Sequence, residues 1–183
     1  MEIPDAPHAH LVGSDGPDEA DREVYRGLAA DIASGVAVVA ARHRGHDVAA
    51  TVTGYLDVSH DPPTLLVSLY EEGRVCEAVE AAGAWTLSLL ARDQSGIASW
   101  LASPGNPVVG LLNQVPFRRA PVSGAAVVEG ALAWFELRTV QATTVATHRL
   151  VVGEVVAMGR GAGAEDDPLV HFARGYTGLR REK

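Results

Sequence analysis

Between residues 51 and 63 the chain reads Thr-Val-Thr-Gly-Tyr-Leu-Asp-Val-Ser-His-Asp-Pro-Pro, with hydroxyls at Thr51, Thr53 and Ser59. A strand that is left at Gly54 frees backbone N–H groups. Together with nearby hydroxyls these can cradle a phosphate or a sugar-alcohol chain without any net positive charge. The same spacing suits a polar crossover between two strands, and the residues alone leave both readings open. Other constellations carry less. Gly159-x-Gly161-x-Gly163 has the look of a phosphate loop, but it leads into Glu165-Asp166-Asp167-Pro168 and not into a helix N-terminus, so it reads as a flexible turn. His8-x-His10 falls in a terminal arm and His43-x-x-His46 in an exposed turn, neither with a third ligand, so no metal site is expected. A Gly-x-Ser-x-Gly elbow is absent, and nothing else marks a hydrolytic nucleophile.

The elements that must position such residues belong to one ordinary globular domain. With 183 residues, the chain can bury a core without staples. A formal net charge of -8 with no basic run argues against nucleic acid and against an anionic membrane surface. It does not exclude one phosphorylated cofactor, which needs only a few local donors. The single cysteine, Cys76, rules out an intrachain disulfide or a multi-cysteine metal site. No apolar run reaches the roughly 20 residues of a membrane helix. The acidic, Pro- and Gly-punctuated N-terminus is the opposite of a signal peptide, so a soluble cytoplasmic protein is expected.

Residues 1–17 lack periodicity and read as a disordered arm; 18–183 read as a single domain. Tyr25, Leu28 and Ile32 recur at helical spacing, predicting a helix over 18–33. The run Val36, Val38, Val39 predicts a strand that turns at residues 42–46 and returns over 47–53. Residues 64–70 form the next expected strand, behind Pro62-Pro63, which no central ladder tolerates. A short helix over 74–82 with a stop at Gly83, a strand over 85–90 and a helix over 94–101 halted by Pro104-Gly105-Asn106-Pro107 follow. Residues 108–123 read as loop with short elements. Two long strands, 131–143 and 148–158, form an expected hairpin; 159–167 is a loop and 169–172 a last short strand. Strands without βαβ alternation predict a mainly β fold with short helices, an antiparallel sheet closed into a barrel.

The 51–63 segment resembles the flavin reductase-like, FMN-binding split-barrel family, in which a strand ending Thr-x-Ser/Thr runs into Val-Ser-x-Asp-Pro-Pro. Thr51, Thr53, Val58, Ser59, Asp61, Pro62 and Pro63 match in register. The resemblance continues through Ser34–Val39, Leu66–Tyr70 with Arg74, and Ala84–Leu90. It extends to Gly130–Glu136, Thr147–Val155, and Pro168–Phe172 with Tyr176.

This resemblance implies a Greek-key split barrel that binds FMN, or sometimes FAD, and is reduced by NADH or NADPH. It implies an NAD(P)H:flavin oxidoreductase that hands reduced flavin to a separate oxygenase, and a homodimer with flavin at the subunit interface. Carried over by residue, Thr51, Val52 and Thr53 would meet the isoalloxazine edge and ribityl chain. Val58 and Ser59 would approach the ribityl phosphate. Ser68, Leu69 and Tyr70 would line the ring, Arg74 would offer charge to the phosphate, and Tyr176 would cover a ring. His148 matches the histidine of a Gly-Asp-His motif beside the nicotinamide, but here the motif reads Ala146-Thr147-His148 and lacks the acid. That departure supports an alternative, a flavin-, heme- or deazaflavin-binding split barrel without NAD(P)H turnover. An oxidase of the pyridoxamine phosphate type is a further alternative, opposed by the Val-Ser-x-Asp-Pro-Pro match. Arg74 as a solvated helix start, His148 as a structural residue and Tyr176 as a packing aromatic are the bland readings of those side chains. Trp85 and Trp134 are expected in the core.

Overall fold

Seven strands form one antiparallel sheet whose two ends come from adjacent pieces of chain. A computed structural model describes residues 10, 12–14, 16–103, 105, 110–163 and 167–179. Strand β1 (Ser34–Gly35) leads into β2 (Ala37–His43), which turns at Arg44-Gly45 into β3 (His46–Val52). Both turn residues have positive φ, 50° and 80°, the two-residue geometry whose twist matches the flanking strands. Then come β4 (Tyr55–His60), β5 (Pro63–Tyr70), β6 (Ala84–Leu89), β7 (Phe117–Arg119), β8 (Ala126–Val128), β9 (Ala133–Val145) and β10 (His148–Arg160). In space the order is β3-β2-β6-β9-β10-β5-β4. The edge strands β3 and β4 are joined by Thr53 and Gly54 alone, so the sheet must roll until its ends approach. The approach is made at one point, where Ser68 N–H donates to the Gly54 carbonyl at 2.7 Å. A Cβ on Gly54 would sit 3.1 Å from Ser68 Cβ, tighter than the contact easily allows. Beyond that point β3 and β5 splay, which makes the barrel split.

Every residue of β2 from Ala37 to Ala41 is buried, because both faces of that strand are covered. Inside the barrel lie Val39, Val67, Leu69, Trp85, Leu87, Leu137 and Val151. On the other side, Val36, Val38, Leu90 and Leu169 cluster with Ala98 and Leu101 of α3 (Ser95–Ala102). Helix α2 (Arg74–Ala82) has the predicted bounds and ends at Gly83 in the left-handed region, φ 66°. Trp85 is fully buried and Trp134 nearly so, as expected of core residues.

Helix α1 (Glu19–Ala29) is capped by Asp18, whose carboxylate accepts from Asp21 N–H while Asp21 returns the bond. It is shorter than the predicted 18–33, and Tyr25, Leu28 and Ile32 point outward, 71%, 67% and 63% exposed. Residues 1–9, 11 and 15 of the expected arm lie outside the described residues, as do Pro104 and 106–109 of the expected stop after α3.

The structure corrects the pattern reading in three places. Residues 55–60 are a strand, β4, pairing with β5 across a register shift between Asp57 and Ser59, and not a cradle loop. Within 108–123 the expected short element is a strand, β7, which pairs with β8 as a small hairpin. Strand β10 runs to Arg160, so Gly159 belongs to a strand beneath Trp134 and not to a loop. A further strand, β12 (Gly175–Gly178), follows β11 (Leu169–Phe172) and completes a β1-β11-β12 sheet.

Candidate functional site

Where β3 and β5 part, a cavity of about 780 Å³ opens. Its floor is β3 from Asp47 to Val52, continuing into Thr53 and Gly54. One wall is the end of β5 (Ser68, Leu69, Tyr70) with Glu72, Gly73, Arg74 and Val75; the other is the C-terminal turn of α3 with Leu111; His148 closes one side. Of the residues singled out in the sequence, Thr51, Val52, Thr53, Ser68, Leu69, Tyr70, Arg74 and His148 all line this one cavity.

Each position has a local cause. Thr51 donates its hydroxyl proton to the Ala98 carbonyl at 2.8 Å, which ties α3 to β3 and sets the cavity width. That proton is committed to the fold, so toward the cavity Thr51 has only its backbone and hydroxyl lone pairs to offer. Val52 and Leu69 bury their side chains in the core and offer backbone. No side chain caps α2 at Gly73, and Arg74 is its first residue. The positive end of the helix and a guanidinium therefore meet at the cavity wall, the arrangement that receives an anion. The Tyr70 hydroxyl donates to Glu72 Oε2 at 3.0 Å, and this bond raises the phenol pKa above its usual range. His148 stands opposite Tyr70 across the β10–β5 ladder, and the two rings meet edge to face, centroids 6.0 Å apart. Where the acid of the expected motif would stand, Thr147 Oγ1 lies 3.0 Å from His148 Nδ1.

Three expected residues are not brought here. Val58 lies on edge strand β4, 49% exposed. Ser59 spends its hydroxyl on its own turn, donating to the Asp61 carbonyl and accepting from Asp61 N–H, each at 3.1 Å. Tyr176 sits on β12 against His171, rings 5.8 Å apart, and its partial burial raises the phenol pKa. Within one chain it lines no part of the cavity. In the other direction, Asp47, Glu72, Gly73 and Leu101 line the cavity without having been singled out. Gly73 beside Arg74, a helix start with a basic first residue, was a readable signal. Leu101 was not readable, because its place depends on how α3 docks on β3. Among the described residues no group of three His, Cys, Asp or Glu side chains gathers as a metal site.

An apolar strip runs on from the cavity along the outer face of the sheet. Leu56, Leu66 and Val152 are cross-strand neighbours, and Leu150 pairs with cavity-lining Ser68. Leu56 is 59% exposed and the other three are half-buried.

A split barrel whose opening has hydroxyls, an apolar wall and one guanidinium at a helix N-terminus is of the class suited to an aromatic cofactor with an anionic tail. The chain belongs to the flavin reductase like domain family, which it matches over residues 29–180. The reductase component of 4-hydroxyphenylacetate 3-monooxygenase from Thermus thermophilus is 34% identical over 158 residues, 86% of this chain and 97% of that one. The NADH-dependent FMN reductase AsuE2 of Streptomyces nodosus subsp. asukaensis is 32% identical, covering 88% of this chain and 87% of its own. Among solved structures, BorF, the flavin reductase component of a bacterial two-component tryptophan halogenase, superposes with a TM-score of 0.82 at 29% identity. It covers 88% of this chain and 100% of that one. No helix among the described residues is long and apolar enough to cross a membrane.

Proposed function

We propose that this protein is an NAD(P)H:flavin oxidoreductase of 18–183 as one domain, working in the cytoplasm and supplying reduced FMN or FAD to a separate oxygenase. The observation that carries the reading is the cavity in the barrel split. It sets a helix N-terminus and Arg74 at one wall and the backbone and hydroxyls of Thr51–Thr53 along its floor. These residues fit a flavin: Arg74 and the first turn of α2 suit its phosphate, Thr51, Val52, Thr53 and Ser68 its polar edge and ribityl chain, and Leu69 and Tyr70 its ring. The bound flavin supplies the acceptor for a hydride from nicotinamide, chemistry that needs no acid or base from the protein.

The chain's own work is then to bind, orient and exclude water. Tyr70, fixed through Glu72, and His148, held beside Thr147, form an aromatic rim against which a nicotinamide can be placed. The apolar strip at Leu56, Leu66, Leu150 and Val152 supports a homodimer in which a second copy covers the open side of the cavity. Such an arrangement also gives Val58, Ser59 and Tyr176 a route to the partner's site.

Titrating the purified protein with FMN and FAD, then following NADH and NADPH consumption, tests the reading. Saturable flavin binding with turnover is expected. Absence of flavin binding overturns it, and binding without NAD(P)H oxidation favours the cofactor-binding alternative that Thr147, in place of the acid, supports.

A further inference from the structure

We propose that the Asp47 end of the cavity, with a small chamber beside it, binds the adenosine half of a dinucleotide by its ribose diol and base. The proposal rests on the flavin reductase reading and adds to it the part of the ligand that a flavin mononucleotide does not possess.

The chamber has a volume of about 160 Å³, with Gly45, His46, Asp47, Leu112, Asn113 and Phe117 in its walls. Asp47 and Leu111 belong to both the chamber and the main cavity, so the two are contiguous. Its size is comparable to the ~150 Å³ engineered cavity that accepts benzene, which suits a single base and not a tricyclic flavin ring.

Asp47 is built for more than filling a strand position. Arg119 holds it with two parallel bonds, Nη1 to Oδ1 and Nη2 to Oδ2, the latter at 2.9 Å. The same guanidinium donates to the Gly124 carbonyl at 3.1 Å and lies 4.8 Å from the centre of the Phe117 ring. The carboxylate is therefore fixed in direction and neutralised, and it does not repel a diphosphate as a bare acid would. A carboxylate has about four acceptor sites, so a pair with Arg119 leaves lone pairs for hydroxyls. A fixed acid facing a ribose diol is how dinucleotide sites recognise adenosine. Asn113 adds an amide with both a donor and an acceptor, the pairing that matches the edge of adenine.

The adenosine diol occurs in two molecules this protein would meet, FAD and NADH, and the experiment separates them. Affinities for FMN, FAD and AMP are measured by calorimetric titration of the full chain, and KM for NADH by steady-state kinetics, for the natural protein, Asp47→Asn and Asn113→Ala. Loss of a hydrogen bond to a charged acceptor in Asp47→Asn predicts a change of about 10-fold or more, and loss of the neutral Asn113 amide one approaching about 10-fold. If FAD weakens by these factors in the two variants while FMN is unchanged, the chamber takes the adenosine of FAD. If KM for NADH rises while both flavin affinities stay, it takes the adenosine of NADH. AMP binding to the natural protein and its loss in Asp47→Asn is expected in either case. That measurement stands even if no flavin binds, so failure of the parent reading remains distinct. Unchanged affinities throughout, or an equal loss of FMN and FAD, overturn the proposal and leave the Asp47–Arg119 pair as a latch of the β7–β8 hairpin. Should Asp47→Asn fail to fold, Asn113→Ala decides alone, by the same criteria.

Discussion

At the scale of residues, the buried polar side chains among the described residues are few, and one of them, Glu136, ties down a loop that leads to the cavity wall. Glu136 on β9 is fully buried, and its two oxygens accept from Val122 N–H, Ser123 N–H and the Ser123 hydroxyl. A buried carboxylate persists only when its lone pairs are met this way. The loop it holds also carries Gly124, whose carbonyl receives Arg119, and Arg119 in turn holds Asp47 in the cavity wall. In Glu136→Gln an amide N–H2 faces converging N–H donors, and the charge that strengthened the remaining bonds is gone. The expected cost is about 2 kcal/mol. It is read as a lower urea midpoint with an unchanged slope, since the surface exposed on unfolding stays the same. An unaltered midpoint would show that Glu136 contributes nothing net to the fold.

Elements, in contrast, are held by close backbone approach as much as by side chains. Strand β10 carries Gly153 at a register shift against β9, facing Leu137 and Trp85. A Cβ there would fall 2.8 Å from Leu137 Cβ and 2.9 Å from Trp85 Cζ2, in a core with no room to relax. Gly153→Ala is expected to destabilise by about 1–3 kcal/mol, seen as a lowered thermal midpoint. A midpoint within a degree or so of the natural protein would mean that β10 can shift and that the bulge is soft.

The same element shows what was readable beforehand. The β9–β10 hairpin, the β2–β3 turn and α2 were legible because turn residues and periodicity are local features. Strand β4 was not, since Gly54 and Pro62-Pro63 punctuate it like a loop and its residues lie at a sheet edge, where Val58 and Leu56 remain exposed. Sequence order points to Thr51–Thr53 and Ser68–Tyr70, where strand ends meet at one cavity. It could not say that Ser59 and Tyr176 lie away from that cavity within one chain, because it does not tell which sheet or which face a neighbour will join.

For the whole molecule, the open question of shape is what covers the cavity's exposed side. Among the described residues, two apolar surfaces are left partly or wholly uncovered: the Leu56, Leu66, Leu150 and Val152 strip, and the outer face of α1 with Tyr25 and Leu28, continued by Ile32 just past its end. An eleven-residue helix with no buried residue is marginal in water, so α1 too gains from being covered. A two-fold dimer covers matching surfaces on both copies at once. Leu150 is the decisive position, since it pairs with Ser68 at the cavity edge and is half-buried already. Leu150→Glu would place an unpaired carboxylate in the middle of the proposed dimer face, a change that costs upward of about 2 kcal/mol at an interface centre. Light scattering is expected to show the natural protein as a dimer and the variant as a monomer, with flavin affinity lowered roughly 30-fold or more by the same energy. Its far-ultraviolet circular dichroism should stay unchanged, because the opposite, core-facing side of β10 is untouched. A variant that remains dimeric and binds flavin normally would place the interface elsewhere, and the cavity would then be completed within a single chain.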